Sequence, residues 1–178
     1  MADVEAKGCC LWLMPEGEVT QRLNDRIQVL AARFGTSSFA PHVTLVSGLE
    51  LPESDAYAAA ARAAAAMQPF TVVLGDVEGG DEHFRCLFLR VKDDGRLRAA
   101  HASAARAFGR EPAADFLPHL SLVYGTLTPA EKRMIARRIG DDLRLHFDVR
   151  RFHLWRTEGP VTTWRRLGVF DLRQVAEP

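Results

Sequence analysis

The sequence predicts an α+β fold: two β-α-β-α-β units, related by an approximate two-fold axis, with antiparallel sheets flanking a central cleft. Two observations carry that prediction. Phe39-Ala40-Pro41-His42-Val43-Thr44-Leu45-Val46-Ser47-Gly48 returns 77 residues later as Phe116-Leu117-Pro118-His119-Leu120-Ser121-Leu122-Val123-Tyr124-Gly125, with six of ten positions identical. Thr44 becomes Ser121 and keeps the hydroxyl. The same offset carries Cys9 to Cys86, Pro52 to Pro129 and Phe70 to Phe147 without a gap. One register over about 70 residues points to a tandem duplication and a bilobal shape.

The elements follow in order. Residues 11–14 read as a strand. Residues 16–34 carry Val19, Leu23, Ile27, Leu30 and Phe34 at helical spacing, and Gly35 follows where a helix terminates. A short β-rich run at 42–48 leads to an alanine-rich helix at 52–67 with proline at its start. Residues 70–77 read as a strand, and Gly79-Gly80 as a turn. The second copy gives a strand at 84–91, a helix at 96–108, a strand at 119–124, a helix at 129–139 and a strand at 145–155. The whole of 1–178 then forms one bilobal domain, with repeats at approximately 8–78 and 84–155 and a final strand at 162–174.

Composition narrows the function classes. The 178 residues are 47% hydrophobic and 26% charged, enough for a sizeable core without disulfides. Twenty-three basic and 23 acidic side chains cancel, which argues against a surface built to track nucleic acid or an anionic membrane. The balance is uneven: residues 1–78 carry 5 basic and 10 acidic groups, residues 79–178 carry 18 and 13. Lys132, Arg133, Arg137, Arg138, Arg144, Arg150 and Arg151 form a basic cluster that leaves room for a phosphate-bearing or short RNA ligand. Three cysteines form no disulfide framework, and the acidic start lacks leader character, so a monomer in the cytoplasm with no membrane partner is expected.

The repeated His-x-Thr/Ser is the chemical signal. Residues i and i+2 of a strand share a face, so His42 with Thr44, and His119 with Ser121, can converge on one cleft. Two imidazoles with ordinary pKa near 6.5 supply a general base and a general acid at neutral pH. Hydroxyls donate to non-bridging oxygens. This suits hydrolysis of a small phosphodiester with no metal or other cofactor, and no cysteine, histidine or carboxylate spacing suggests a metal site.

The paired motif, the opening Trp12-Leu13-Met14-Pro15, the Phe84-Arg85-Cys86-Leu87-Phe88 segment and Tyr124 together resemble the 2H phosphoesterase superfamily, most closely its plant-type cyclic phosphodiesterase branch. The resemblance implies metal-independent opening of nucleoside 2′,3′-cyclic phosphates to 2′-phosphates, or of ADP-ribose 1″,2″-cyclic phosphate to the 1″-phosphate. It makes His42 and His119 the catalytic pair and Thr44 and Ser121 phosphate ligands. Tyr124 becomes a phosphate or ribose contact, and Trp12 and Phe84 become stacking surfaces for the base. Two other readings stay open: an RNA-end enzyme of the 2′-5′ ligase or cyclic-end type, and a non-catalytic nucleotide-binding module. Strict alternation sets Tyr124 on the face opposite His119 unless the strand ends before Gly125. His83, His101, His146 and His153 read as surface or partly buried bystanders, and Cys9, Cys10 and Cys86 as small apolar strand residues.

Overall fold

The structure, a computed structural model, describes residues 5–92 and 94–173. Residues 1–4 and residue 174 of the expected final strand lie outside the described residues. The first unit runs β1 (Cys9–Leu13), α1 (Gly17–Phe34), β2 (Val43–Leu49), α2 (Glu53–Ala65) and β3 (Phe70–Gly79). The second runs β4 (Leu87–Lys92), α3 (Arg96–Ala107), β5 (His119–Val123), α4 (Pro129–Ile139) and β6 (His146–Val149). Two more strands follow, β7 (Arg151–Arg156) and β8 (Arg165–Asp171). All pairings are antiparallel, in the order β6-β3-β4-β5-β2-β1-β7-β8. The α+β class and its two-fold-related units are those the sequence implies.

The register locates the axis. Val43 pairs with Leu120, and Thr71 pairs with Asp148; in both pairs the partners are 77 residues apart. A residue can face its own counterpart across an antiparallel ladder only where the two-fold passes between them. Thr71 Oγ1 donates to Asp148 Oδ1 at 2.8 Å on that line. At the other crossing, Val43 and Leu120 are the immediate neighbours of His42 and His119. The histidines therefore flank the axis.

Each half of the sheet is built from both repeats, β7 lying at the end of the second repeat at 84–155. β3 lies against β4, while β7 lies against β1. The helices follow the same exchange, α1 packing on β5 and α3 on β2. Instead of one strand over 145–155 the chain forms β6 and β7, broken at Arg150, because β6 pairs with β3 while β7 pairs with β1 and β8. These two strands stand near opposite ends of the sheet order with a single residue between them. A chain advances under 4 Å per residue. The sheet must therefore curl until those two strands come together at Arg150.

Packing accounts for the helices. α1 buries Leu23, Ile27, Leu30 and Ala31 along one stripe and stops at Gly35, whose φ of 63° lets its N–H reach the Ala31 carbonyl. α2 buries Ala56, Ala59, Ala60, Ala63 and Ala64, and α3 buries Ala100, Ala104 and Ala105. Such small side chains let α2 approach α3, β7 and β8 closely. The strand expected over 84–91 begins only at Leu87, after a 3-10 turn at His83–Arg85. Carbonyls of that stretch have other partners: Gly125 N–H on His83 and Gly80 N–H on Cys86. The Ser121 hydroxyl takes the Phe84 carbonyl. The connection after Gly79 is thus longer than a two-residue hairpin.

Candidate active site

His42 enters just ahead of β2 and His119 opens β5, each preceded by a proline that holds the chain extended. Each ring is fixed in the same way. His42 Nδ1 lies 2.6 Å from the Ala40 carbonyl, and His119 Nδ1 lies 2.8 Å from the Leu117 carbonyl. A carbonyl only accepts, so Nδ1 carries the proton in both neutral rings and Nε2 is left as the basic atom. One cavity of about 290 Å³ is lined by His42, Thr44, His119, Ser121 and Tyr124 together with Trp12 and Phe84. All seven residues singled out from the sequence meet there.

The two histidines differ in their surroundings. His42 is 5% exposed, and burial, with a smaller contribution from His119, pulls it down from 6.5 to about 4 against the opposing Ala40 bond. His119 is also lowered, chiefly by burial and further by the Arg85 guanidinium, against its Leu117 bond. Trp12 stacks on the His42 ring at 3.6 Å and 11°, and Tyr124 Oη is 3.4 Å from His42 Nε2. Burial pushes the Tyr124 phenol above its usual range, so its hydroxyl stays protonated and can only donate to that basic nitrogen.

Tyr124 reaches the cleft because β5 ends at Val123. Its ring then stacks on Phe39 at 3.7 Å. The hydroxyls are unlike: Ser121 Oγ donates to the Phe84 carbonyl at 2.7 Å, whereas the Thr44 hydroxyl has no hydrogen-bond partner among the described residues. Trp12 is 2% exposed and stacked on both His42 and Trp155, which makes it a wall for the imidazole more than an open shelf. Phe84 is half-buried on its 3-10 turn, and Trp164 stands 6.1 Å from it. Trp164 and Arg85 line the cavity too. The sequence holds no signal for Trp164, which precedes an edge strand; Arg85 lay within a segment read as strand.

Other expectations change. His101 and His153 are each 6% exposed and so belong to the interior. Cys10 lines the cavity with Sγ 3.1 Å from Thr157 Oγ1, and burial raises its thiol, keeping it protonated. Much of the basic cluster is ion-paired at the surface: Lys132 with Asp81, Arg144 with Asp76, Arg150 with Asp148, and Arg151 with Glu16 and Asp171. Such pairs contribute little to stability and leave less free charge for a ligand than the sequence suggests. Among the described residues, no group of three His, Cys, Asp or Glu side chains is placed to hold a metal ion, and no helix is long and apolar enough to cross a membrane.

Known proteins share this fold. A family model described as the 2′-5′ RNA ligase superfamily matches residues 17–160. A cyclic phosphodiesterase of Arabidopsis thaliana is 25% identical over 179 residues, covering 97% of this chain and 99% of that protein. A 2′,3′-cyclic-nucleotide 3′-phosphodiesterase of Yarrowia lipolytica is 28% identical over 214 residues, covering 92% and 99%. A solved structure from Thermus thermophilus superimposes with a TM-score of 0.63 at 23% identity over 93% of this chain and 98% of its own. The Escherichia coli LigT apo structure does so with 0.62 at 15% identity over 96% and 100%, and both likenesses are of fold. The family match takes in both His-x-Thr/Ser motifs, and the chain belongs to the 2′-5′ RNA ligase superfamily, the 2H phosphoesterases.

Proposed function

We propose that the protein hydrolyses small cyclic phosphodiesters by two-histidine acid–base catalysis. The substrates are nucleoside 2′,3′-cyclic phosphates, opened to 2′-phosphates, and ADP-ribose 1″,2″-cyclic phosphate, opened to the 1″-phosphate. The observation that carries this reading is the matched pair of imidazoles, each with Nδ1 tied to a carbonyl two residues back, lining one cavity with Thr44 and Ser121. The named activities of the Arabidopsis and Yarrowia relatives support the same class.

In this mechanism a water oxygen attacks phosphorus while a neutral Nε2 takes its proton. The P–O3′ bond breaks, and the protonated Nε2 of the other ring delivers its proton to O3′, leaving the phosphate on O2′. The histidines end with exchanged protonation states, which solvent resets. The Thr44 hydroxyl, without a protein partner among the described residues, donates to a non-bridging oxygen directly; Ser121 must first turn away from the Phe84 carbonyl. The deeper burial of His42 supports it as the base and His119 as the acid.

Purified protein is assayed with chelator on both substrate types, with phosphorus NMR resolving the product isomers. Turnover to the 2′- or 1″-phosphate supports the proposal; no turnover of either by folded protein rejects it. A substrate with a good leaving group separates the two roles. It should restore rate to His119→Ala, which lacks the acid, and not to His42→Ala.

A further inference from the structure

A second cavity, of about 310 Å³, opens between β2 and the loop that joins α3 to β5. It shares Thr44, Ser47, Arg85 and His119 with the first, so the two are chambers on either side of a common wall. The chamber is a built one. Buried His101 accepts the Ala113 N–H at Nε2 (3.0 Å), so its Nδ1 carries the proton and donates to the Leu45 carbonyl at 2.7 Å. Its ring also stacks on Phe116 at 3.9 Å and 3°. One imidazole, with both nitrogens used, fastens the loop to β2.

Two guanidiniums line this space. Arg110 uses Nη1 on the carbonyls of Ser47 and Gly48, at 2.9 and 3.0 Å, and has no carboxylate partner among the described residues. Its Nε and Nη2 donors are not used in those bonds. Arg85 stands in the common wall and is tied to Glu82. Under the duplication its counterpart is Gly8, so the His119 side of the site carries a guanidinium that the His42 side lacks. The Glu111 carboxylate lines the chamber as well. By contrast the first chamber is walled by Trp12, Phe84, Tyr124 and Trp164.

A nucleoside cyclic phosphate has the geometry to use both chambers. Its base leaves the ribose at C1′ and its 5′ carbon at C4′, on either side of the ring oxygen and away from the cyclic phosphate. With the phosphate at the common wall and the base among the aromatics, the 5′ substituent has the second chamber, which Arg110 lines, to enter. Arginine binds phosphate oxygens with two donors at once, an arrangement lysine cannot match.

We propose that the second chamber is a subsite for a second phosphate, carried on the 5′ side of the ribose and held by Arg110 and Arg85. It rests on the function proposed above and ranks its substrates, those bearing a 5′-linked phosphate or pyrophosphate being preferred. The test measures binding of adenosine 2′,5′-bisphosphate against adenosine 2′-phosphate by calorimetry. Alongside, it compares kcat/KM for adenosine 2′,3′-cyclic phosphate with and without a 5′-phosphate.

The expected preference for the 5′-phosphorylated ligand is about tenfold or more, given charge-assisted bonds from two guanidiniums. Arg110→Gln should collapse that ratio toward one. Glu111→Gln should widen it, an effect of opposite sign that a loosened loop would not produce. Equal binding by wild-type protein, or an unchanged ratio in Arg110→Gln, overturns the subsite. Failure to open either cyclic ester overturns the catalytic reading instead, while the bisphosphate ratio still decides the subsite.

Discussion

Replacing His153 by leucine should flatten the fall in stability on the acid side of neutrality. His153 pairs with Trp12 across β1 and β7, is 6% exposed, and has neither ring nitrogen hydrogen-bonded. Burial, with Arg166 and Arg151 adding to it and Glu16 opposing, lowers it from 6.5 to about 4. The folded state therefore resists a proton that the unfolded chain accepts. Stability is full above pH 6.5 and is lost as pH falls toward 4, where the native imidazole also titrates. At 1.36 kcal/mol per unit, the loss attributable to this ring is about 2.5 kcal/mol by pH 4.5. Urea unfolding, followed by tryptophan fluorescence from pH 7.5 to 4.5, gives the two stability curves. Their difference should grow in favour of His153→Leu by roughly that amount. His42 is present in both proteins and cancels to the extent that the sites are independent. Parallel curves would refute the reasoning.

Four further outcomes are expected. His42→Ala and His119→Ala should each lower turnover by roughly 10²–10⁴, and a loss under about tenfold would remove that histidine from acid–base work. Because burial lowers both imidazoles, the bell-shaped kcat/KM profile should centre below pH 6.5; a maximum above 7 would contradict the burial described. Gly80→Ala places a Cβ 2.4 Å from the Arg85 carbonyl and should cost about 1–3 kcal/mol, read as a lower Tm, as the His83–Arg85 turn is displaced. Tyr124→Phe removes only the long bond to His42 Nε2, so its rate should fall less than that of either histidine variant; an equal loss would give the phenol a larger role.

The candidate site was legible in the sequence because the duplication repeats its His-x-Thr/Ser motif, and the structure brings both copies to one cavity. His42 and His119, with their hydroxyls, share an offset that the ladder reproduces at Val43 and Leu120. Local periodicity also placed α1, and an alanine run opened by Pro52 placed α2, because both signals lie within the element itself. What stayed hidden depends on partners distant in the chain. Nothing near Arg150 shows that its two sides pair with different strands, and nothing near Phe84 shows that its carbonyl is taken by Ser121. His153 and His101 read as bystanders because burial is decided by neighbouring strands and loops, not by spacing along their own element. Trp164 and Arg85 enter the cavity from a 3-10 terminus and a 3-10 turn, where neither helix nor strand periodicity assigns a face.

The interleaving of the two units also sets the order in which the molecule can be completed. β1 is made early, yet its outer neighbour is β7, with Cys9 facing Arg156, almost the whole length of the chain away. Until that segment leaves the ribosome, the first strand carries an open edge of unpaired backbone groups. Trp12, which backs the His42 ring, rides on that strand. A nascent chain lacking β7 thus holds both motifs without the finished wall behind one of them. Completion is a late, long-range event of the slow-folding kind, and competence for chemistry arrives with the closing strands.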